Sequence, residues 1–300
     1  MSERLDPRVV FDLIAHHVPK DLHKHVLIAG SLAAAYHHRE QLVDGAVNTK
    51  DADVVVQPAG AVKECATIAT RLLDDGWLRT VACYPRATAK PRDSATAADW
   101  LRAIRIRPRR TESFFIELLA FPQASQKQNL IWLPCRLADG WYGLPCFRFL
   151  GLTTFGQQIV SSGLSYAAPP MMALANLLSH PTLERHVVIQ KPEDGRPIMR
   201  SAKDLGRVLA IAWLTKPSEL ATWPKLWRAA LRKRFPREHI ELARRAGNGL
   251  RALLADPDAL DQARHSVDVG LLSGHGIEVA NLAAVGAQVV GLVLDPLSQT

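Results

Sequence analysis

The hydrophobic pattern of this chain changes once, and that change limits the folds open to it. Up to about residue 160, short apolar runs such as HVLIA and DADVVV alternate with amphipathic stretches, which is typical of strands and helices in one α+β domain. Beyond that point, segments such as AKDLGRVLAIAWL and WPKLWRAALRKRF repeat apolar residues at helical spacing, and no strand pattern follows. We therefore predict an α+β domain over residues 1–160 and a helical C-terminal domain over residues 161–300.

The composition is that of a globular protein and indicates no membrane segment. Hydrophobic residues make up 48% of the chain and charged residues 22%, and we find no run of about 18 apolar residues, the length that a transmembrane helix needs. The start MSERLDPRVV lacks the apolar core of a secretory signal. The four cysteines form no CxxC pair, which favours buried thiols over a zinc site. We expect a cytoplasmic protein whose cysteines stay reduced.

The chain is basic, with a net charge of +8 and an isoelectric point near 9.5. A basic balance permits a polyanionic partner such as RNA. The arginines are spread along the sequence, which equally fits an arginine-rich composition without such a partner. Net charge alone leaves these two interpretations open.

Two aspartates open the valine-rich segment DADVVV. Successive side chains of a strand alternate between the two faces of a sheet, so Asp51 and Asp53 point to the same side. Two carboxylates on one face repel each other unless a divalent cation holds them together, and Mg²⁺ prefers carboxylates and phosphate oxygens. Two such ions can clamp the attacking and leaving oxygens of a phosphoryl displacement. The pair therefore predicts a metal site, which usually needs a third carboxylate from a neighbouring strand.

Glu117 is the candidate for that third carboxylate. It lies in the apolar run FFIELLAF, where a charge is costly unless it meets a cation. A metal ion would supply one, and an ion pair with Arg105 or Arg107 on the preceding predicted strand would supply another. Because Asp51 and Asp53 lie upstream, we favour the metal.

A Gly-Ser pair follows the first short apolar run and opens a predicted helix. Glycine lets the backbone approach a phosphate closely, and a helix N-terminus offers unpaired N–H groups and the positive end of a dipole. Gly30 and Ser31 are therefore candidate phosphate-binding residues, with Ser31 placed to cap the helix. Such a pair alone usually marks only a turn and a cap, and its place before the aspartate pair is what favours a phosphate site.

Together, the segments VLIAGSLAAAYHH, NTKDADVVV and FFIELLAF resemble the nucleotidyltransferase superfamily that includes DNA polymerase beta. That superfamily has Gly-Ser or Gly-Gly after a strand, then Asp-x-Asp or Asp-x-Glu, then a third acid on a later strand. The phrase TKDADVVV is most similar to AbiEii-like abortive-infection toxins, whose helical C-terminal half carries an Arg/Lys-Asp phrase similar to RSAKDLGRVLAIAWL. The resemblance implies a nucleotidyltransferase-like mixed sheet flanked by helices, followed by the helical domain.

The resemblance also implies an activity. This is the Mg²⁺- or Mn²⁺-dependent transfer of a nucleoside monophosphate from a nucleoside triphosphate to an acceptor hydroxyl on RNA or tRNA, on a protein or on a small molecule. A toxin-type enzyme would have an antitoxin as a partner, and no membrane is implied. By position, the catalytic and metal-binding acids are Asp51, Asp53 and Glu117, and the nucleotide-binding residues are Gly30, Ser31, Lys50, Lys203 and Asp204.

Other interpretations of these residues stay open. Lys50 and Lys203 also fit solvated surface lysines. A second hypothesis keeps the fold without the chemistry, as a catalytically silent module that binds nucleotide or RNA. Three desolvated carboxylates argue against it, because a binding module has no need for them. A third, a helical interaction module beside an inert N-terminal domain, is neither supported nor excluded by the sequence.

Overall fold

A computed structural model describes residues 4–80, 87–88, 100–109, 113–183, 187–190 and 198–299. The chain divides into two compact units. The first unit comprises Met1–Ala33 and Thr49–Ala167, and the second comprises Ala34–Asn48 and Ala168–Thr300. The sequence placed a single boundary after residue 160, whereas here the chain passes from one unit to the other three times.

The strands of the first unit lie in two sheets. In the described part of the chain, a seven-stranded sheet has the order β10-β11-β1-β2-β7-β6-β3 and a four-stranded sheet has the order β4-β5-β9-β8. In chain order the strands are β1 (Val26–Ala29), β2 (Asp51–Val56), β3 (Leu78–Arg79), β4 (Ala87–Thr88), β5 (Trp100–Ala103), β6 (Arg105–Arg107), β7 (Phe115–Ala120), β8 (Leu130–Leu137), β9 (Gly140–Phe147), β10 (Gln158–Ile159) and β11 (Ser165–Tyr166).

The seven-stranded sheet is mixed. Strand β1 runs antiparallel to β2 and parallel to β11, β2 runs parallel to β7, and β6 runs antiparallel to β7. The α+β class and the mixed sheet expected from the sequence are confirmed. Strands β2 and β7 are neighbours in the middle of this sheet, so residues far apart in sequence meet there.

Burial along β2 explains where polar residues are tolerated. The strand begins with alternating burial, in which Ala52 and Val54 are buried while Asp51 and Asp53 are half-buried. It ends in buried valines on both faces, as central strands do. One face of the sheet is therefore less covered at the start of β2, which is where the aspartates lie.

The first unit contains α1 (Pro7–His17), the start of α2 (Gly30–His37), and α3 (Val62–Asp74). Helix α1 is capped by Asp6, whose carboxylate accepts a hydrogen bond from a backbone N–H of its first turn. Helix α3 buries one face, whose residues recur at helical spacing: Cys65, Ile68, Ala69 and Leu72.

Two details of the strand pattern differ from the sequence prediction. The run WLRAIRIRP has the sequence pattern of one strand, but it is divided at Ile104 into β5 and β6, which join different sheets. In the region predicted to lack strands, β12 (Val188–Gln190) and β13 (Ile198–Met199) form a small antiparallel ladder. Both differences arise because pairing depends on partners that are distant in sequence.

The rest of the second unit is helical, as predicted. A large part of its core is formed by Trp223 and Trp227, which are fully buried, and the Trp227 Nε1–H donates a hydrogen bond of 2.9 Å to the Pro170 carbonyl. The remaining helices, in chain order, are α4 (Pro169–Ser179), α5 (Arg200–Trp213), α6 (Pro217–Leu220), α7 (Trp223–Arg234), α8 (His239–Arg245), α9 (Asn248–Ala255), α10 (Pro257–Asp268), α11 (Val279–Val289) and α12 (Asp295–Ser298).

One helical run bears on the membrane prediction. The run Val279–Ser298, which spans α11 to α12, is long and apolar enough to cross a membrane by length and composition alone. A buried core helix meets the same criterion, so this single run is weak evidence. The expectation of no membrane stays a prediction.

The cysteines were expected to be buried thiols. Cys65, Cys135 and Cys146 are buried and free, which confirms the expectation for these three. Burial raises the pKa of Cys65 and also that of Cys135, to about 11, so both thiols stay protonated at neutral pH. Cys83 lies outside the described residues.

Candidate functional site

The register of β2 against β7 brings the predicted acids together. Asp53 lies directly opposite Glu117, and Asp51 lies opposite Phe115, two residues earlier on each strand. Since residues two apart on a strand share a face, all three carboxylates belong to the same face of the sheet. The predicted position of Glu117, on the strand next to the aspartates, is confirmed.

Gly30 contacts the same face of the sheet from the end of β1, which pairs with the edge of β2 opposite to β7. Strand β1 pairs with β2 so that Ala29 lies opposite Asp53, and Gly30 follows directly with a φ of 72°. A Cβ added to Gly30 would lie only 2.3 Å from Asp53 Oδ2. The Asp53 carboxylate therefore lies against the Cα of Gly30, in space that no other residue type would leave open.

This contact also places a carboxylate at the start of a helix. Helix α2 begins at Gly30, directly after β1. An anion near a helix N-terminus is stabilised by the helix dipole and by N–H groups that have no partner within the helix. Ser31, which was predicted to cap the helix, lies in its first turn, one residue after the helix begins.

Thr49 is a residue of the site to which the sequence assigned no role. Its hydroxyl donates a hydrogen bond of 2.7 Å to Asp51 Oδ1, and Thr49 itself is buried. The hydrogen bond fixes the orientation of the Asp51 carboxylate. The available sequence signal was a threonine two residues before the first acid. Lys50, between the two, is exposed.

Glu117 has a cationic partner. Arg105 lies opposite Glu117 in the antiparallel pairing of β6 with β7, and its Nη2 is 2.6 Å from Glu117 Oε2. The side chains are only 6% and 13% exposed, and the guanidinium also lies over the Phe115 ring, 4.9 Å from its centroid. The ion pair considered for Glu117 is thus formed, and with Arg105.

Asp204 is held by cations within the second unit. Its carboxylate is 2.8 Å from His180 Nε2, 3.5 Å from Arg200 Nε and 3.9 Å from Arg207 Nη1. Burial raises the pKa of this carboxyl, but the His180 hydrogen bond and the two arginine charges outweigh burial, so the pKa lies below its usual range. Its neighbour Lys203 is half-buried. These contacts give Asp204 a structural role, and the nucleotide-binding assignment of both residues stays a prediction.

The donor chemistry at the carboxylate face is that of a hard divalent cation. Carboxylate oxygens are the ligands that Mg²⁺ and Mn²⁺ prefer, and Asp51 and Asp53 supply them from one strand. Within the part of the chain that the structure describes, no three His, Cys, Asp or Glu side chains are arranged to hold a metal ion. The two aspartates have the ligand chemistry of the expected metal, while the Glu117 carboxylate is paired with Arg105.

Comparisons of the chain with protein-family models, with curated proteins and with solved structures found no match. The resemblance to nucleotidyltransferases therefore depends on the sequence motifs alone.

Proposed function

We propose that the protein is a Mg²⁺- or Mn²⁺-dependent nucleotidyltransferase that moves a nucleoside monophosphate from a nucleoside triphosphate to an acceptor hydroxyl. The acceptor oxygen bonds to the α-phosphorus, the bond from that phosphorus to the β-phosphate bridge breaks, and pyrophosphate and the hydroxyl proton are released to solvent. The observation that carries the proposal is the position of Asp53. It shares a sheet face with Asp51 and Glu117 and lies against Gly30, where a helix begins. A metal ion between the two aspartates and a triphosphate would offset the repulsion among these anions.

Each residue of the site has a role in this proposal. Asp51, oriented by Thr49, and Asp53 hold the metal, whose charge stabilises the phosphoryl group in transfer. Gly30 lets the triphosphate approach the N-terminal N–H groups of α2. Glu117 orients the acceptor hydroxyl.

One observation favours a second candidate function. A carboxylate that is neutralised by a buried arginine has less need for a metal ion. If the Arg105–Glu117 pair is purely structural, the domain is a catalytically silent module that binds nucleotide or RNA. The two functions differ in one respect: only the enzyme converts a triphosphate into a covalently labelled product.

The test is a labelling experiment. The protein is incubated with each α-³²P-labelled triphosphate, Mg²⁺ or Mn²⁺, and total RNA or cell lysate. We expect a labelled acceptor, and we expect Asp53→Asn to reduce labelling by about 100-fold or more, the size of effect seen when one charge-stabilising group is removed. The matched control is Asp12→Asn, which removes an exposed carboxylate on α1. Equal labelling by all three proteins would reject the assignment of the site, and no labelling by the wild type would favour the silent module.

The proposal also includes the compartment in which the enzyme acts and the partner that controls it. A cytoplasmic, toxin-type enzyme with an antitoxin partner is the setting that the motif resemblance implies. Co-purification of the chain with the product of a neighbouring gene, and suppression of its labelling activity by that product, would test this.

A further inference from the structure

The positive charge of the chain is concentrated in one segment of the second unit. Residues 225–245 contain eight lysines or arginines and two glutamates, a net charge of +6, whereas the whole chain has a net charge of +8. Arginines occur throughout the sequence, but outside this segment acids nearly balance them. The distribution of charge therefore favours a local polyanion-binding surface over an evenly basic composition.

The segment forms α7, a turn and α8, and the two helices pack against each other. Helix α7 turns one face to the core, through Trp223, Trp227, Ala230 and Leu231. The exposed cations, which we call the basic face, are Lys225, Arg232, Lys233, Arg237 and Arg244.

Most of the basic face has no neutralising partner. Among the described residues, the side chains of Lys225, Arg232, Arg237 and Arg244 form no ion pair and no hydrogen bond. One exposed arginine of the first unit, Arg71, does have such a partner, Asp75. Four of the five cations of the basic face therefore present charge that no described residue neutralises.

Helix electrostatics explain only part of this pattern. Cations in the last turn of α7 interact favourably with the helix dipole, by about 0.3–1 kcal/mol each. That interaction accounts for Arg232 and Lys233. The same interaction at the end of α8 accounts for Arg244, but it does not account for Arg237, which lies between the two helices, and it disfavours Lys225, a cation in the first turn of α7. An anionic ligand that contacts all five cations accounts for the whole basic face.

The chemistry of the basic face fits a phosphate backbone. Arginine, which binds phosphate through two N–H groups at once, supplies three of the five cations. An anionic membrane is the other polyanion to consider, but an interfacial helix buries its apolar face in lipid. The apolar face of α7 is already buried in the protein core, and the exposed large apolar side chains of residues 225–245 are two, Leu226 and Ile240, too few to form the apolar face of an interfacial helix.

We propose that the basic face of α7 and α8 binds RNA through its phosphate backbone. That RNA is also the acceptor of the transferred nucleotide rests on the proposed function, and this part of the inference narrows the acceptor class to RNA. The binding of RNA to the basic face does not depend on catalysis.

The experiment measures binding of a short fluorescein-labelled single-stranded RNA by anisotropy, between about 50 and 200 mM salt. The variant Arg232→Gln/Arg237→Gln/Arg244→Gln removes three phosphate contacts. Because each contact contributes about 0.7 to the slope of log K against log salt for a single strand, the slope should fall by about 2. The same relation predicts roughly 50-fold weaker binding near 0.15 M salt. If the triple variant does not fold, each single variant should lower the slope by about 0.7.

The matched control is Arg8→Gln/Arg71→Gln/Arg136→Gln, which changes the net charge by the same amount within the first unit. Arg8 and Arg71 are ion-paired, and Arg136 lies over the Trp141 ring. The control should keep the wild-type slope. Equal weakening by both triple variants, or no binding of RNA by the wild type, would overturn the proposal. So would binding to phosphatidylserine vesicles, but not to RNA, that depends on the three basic-face arginines.

Asp53→Asn separates this inference from the proposed function. It should bind RNA as the wild type does while losing labelling activity. RNA binding that depends on the basic face, in a wild-type protein that transfers no nucleotide, would reject the enzyme and retain the surface. Transfer of nucleotide to RNA that both triple variants perform equally would retain the enzyme and reject the surface.

Discussion

Replacing Gly30 by alanine tests the contact on which the candidate site depends. The added Cβ would lie 2.3 Å from Asp53 Oδ2, far inside van der Waals contact. The φ of 72° adds about 1–2 kcal/mol for any residue with a side chain, and relieving the overlap adds about 1–3 kcal/mol. Because Asp53 can partly turn away, we expect Gly30→Ala to lower the free energy of unfolding by about 2–4 kcal/mol in all.

Gly76 is the matched control for the backbone contribution. It also has a positive φ, of 85°, but an added Cβ there would meet nothing within 4 Å. Gly76→Ala should therefore cost only the backbone term, about 1–2 kcal/mol. The difference between the two variants measures the contact with Asp53.

A second background isolates that contact. The Cβ of Asp53 lies 3.5 Å from the added atom, which is an ordinary contact, so truncating Asp53 to alanine removes the overlap. In Asp53→Ala, the cost of Gly30→Ala should fall to that of Gly76→Ala. Urea denaturation followed by circular dichroism gives the four free energies of the double-mutant cycle. An unchanged cost of Gly30→Ala in both backgrounds would refute the placement of the carboxylate against Gly30.

Three further predictions follow from the same structure. Arg105→Met should destabilise the protein by about 3–5 kcal/mol because it removes the cationic partner of the Glu117 carboxylate. Arg105→Met/Glu117→Leu should recover most of this loss, and equal urea midpoints for the single and the double variant would contradict the ion pair. Burial, with a smaller contribution from the adjacent histidine, lowers the pKa of His38 to about 4. Since the pKa in the unfolded chain is near 6.5, the neutral imidazole contributes at most about 3 kcal/mol of stability above about pH 6.5, and this contribution is lost as the pH falls towards 4. The urea midpoint of His38→Gln should therefore fall less than that of the wild type between pH 7 and pH 4. The same pH profile for both proteins would exclude a lowered pKa of His38. A nucleoside triphosphate should raise the melting temperature more with Mg²⁺ than either ligand does alone, and Gly30→Val should weaken this shift; no shift with ATP, GTP, CTP or UTP would count against a nucleotide site.

The sequence predicted those parts of the site that local patterns encode. Alternation within DADVVV placed both aspartates on one face, and a charge inside an apolar run identified Glu117 as a residue in need of a partner. The choice between a metal ion and Arg105 lay beyond the sequence, because it depends on the register of β6 against β7.

Pairing over long distances in the chain explains the other differences. The run WLRAIRIRP has a continuous strand pattern, yet its halves join different sheets because each half has a different partner. Likewise, nothing in residues 34–48 indicates that they group with the helical unit. Hydrophobic periodicity identifies an element and its buried face, but the partner of that face is set by tertiary packing.

The passage of the chain through residues 34–48 has a consequence for dissecting the protein. Leu42 and Val47 are buried side chains of this segment, which belongs to the second unit although the first unit surrounds it in sequence. A fragment that ends at Ala167 carries these apolar side chains without their unit, and a fragment that begins at Ala168 lacks them. Neither unit is a contiguous stretch of sequence, so a single cut cannot release either one whole. During synthesis, residues 34–48 cannot be buried in the second unit until the C-terminal half of the chain has been made.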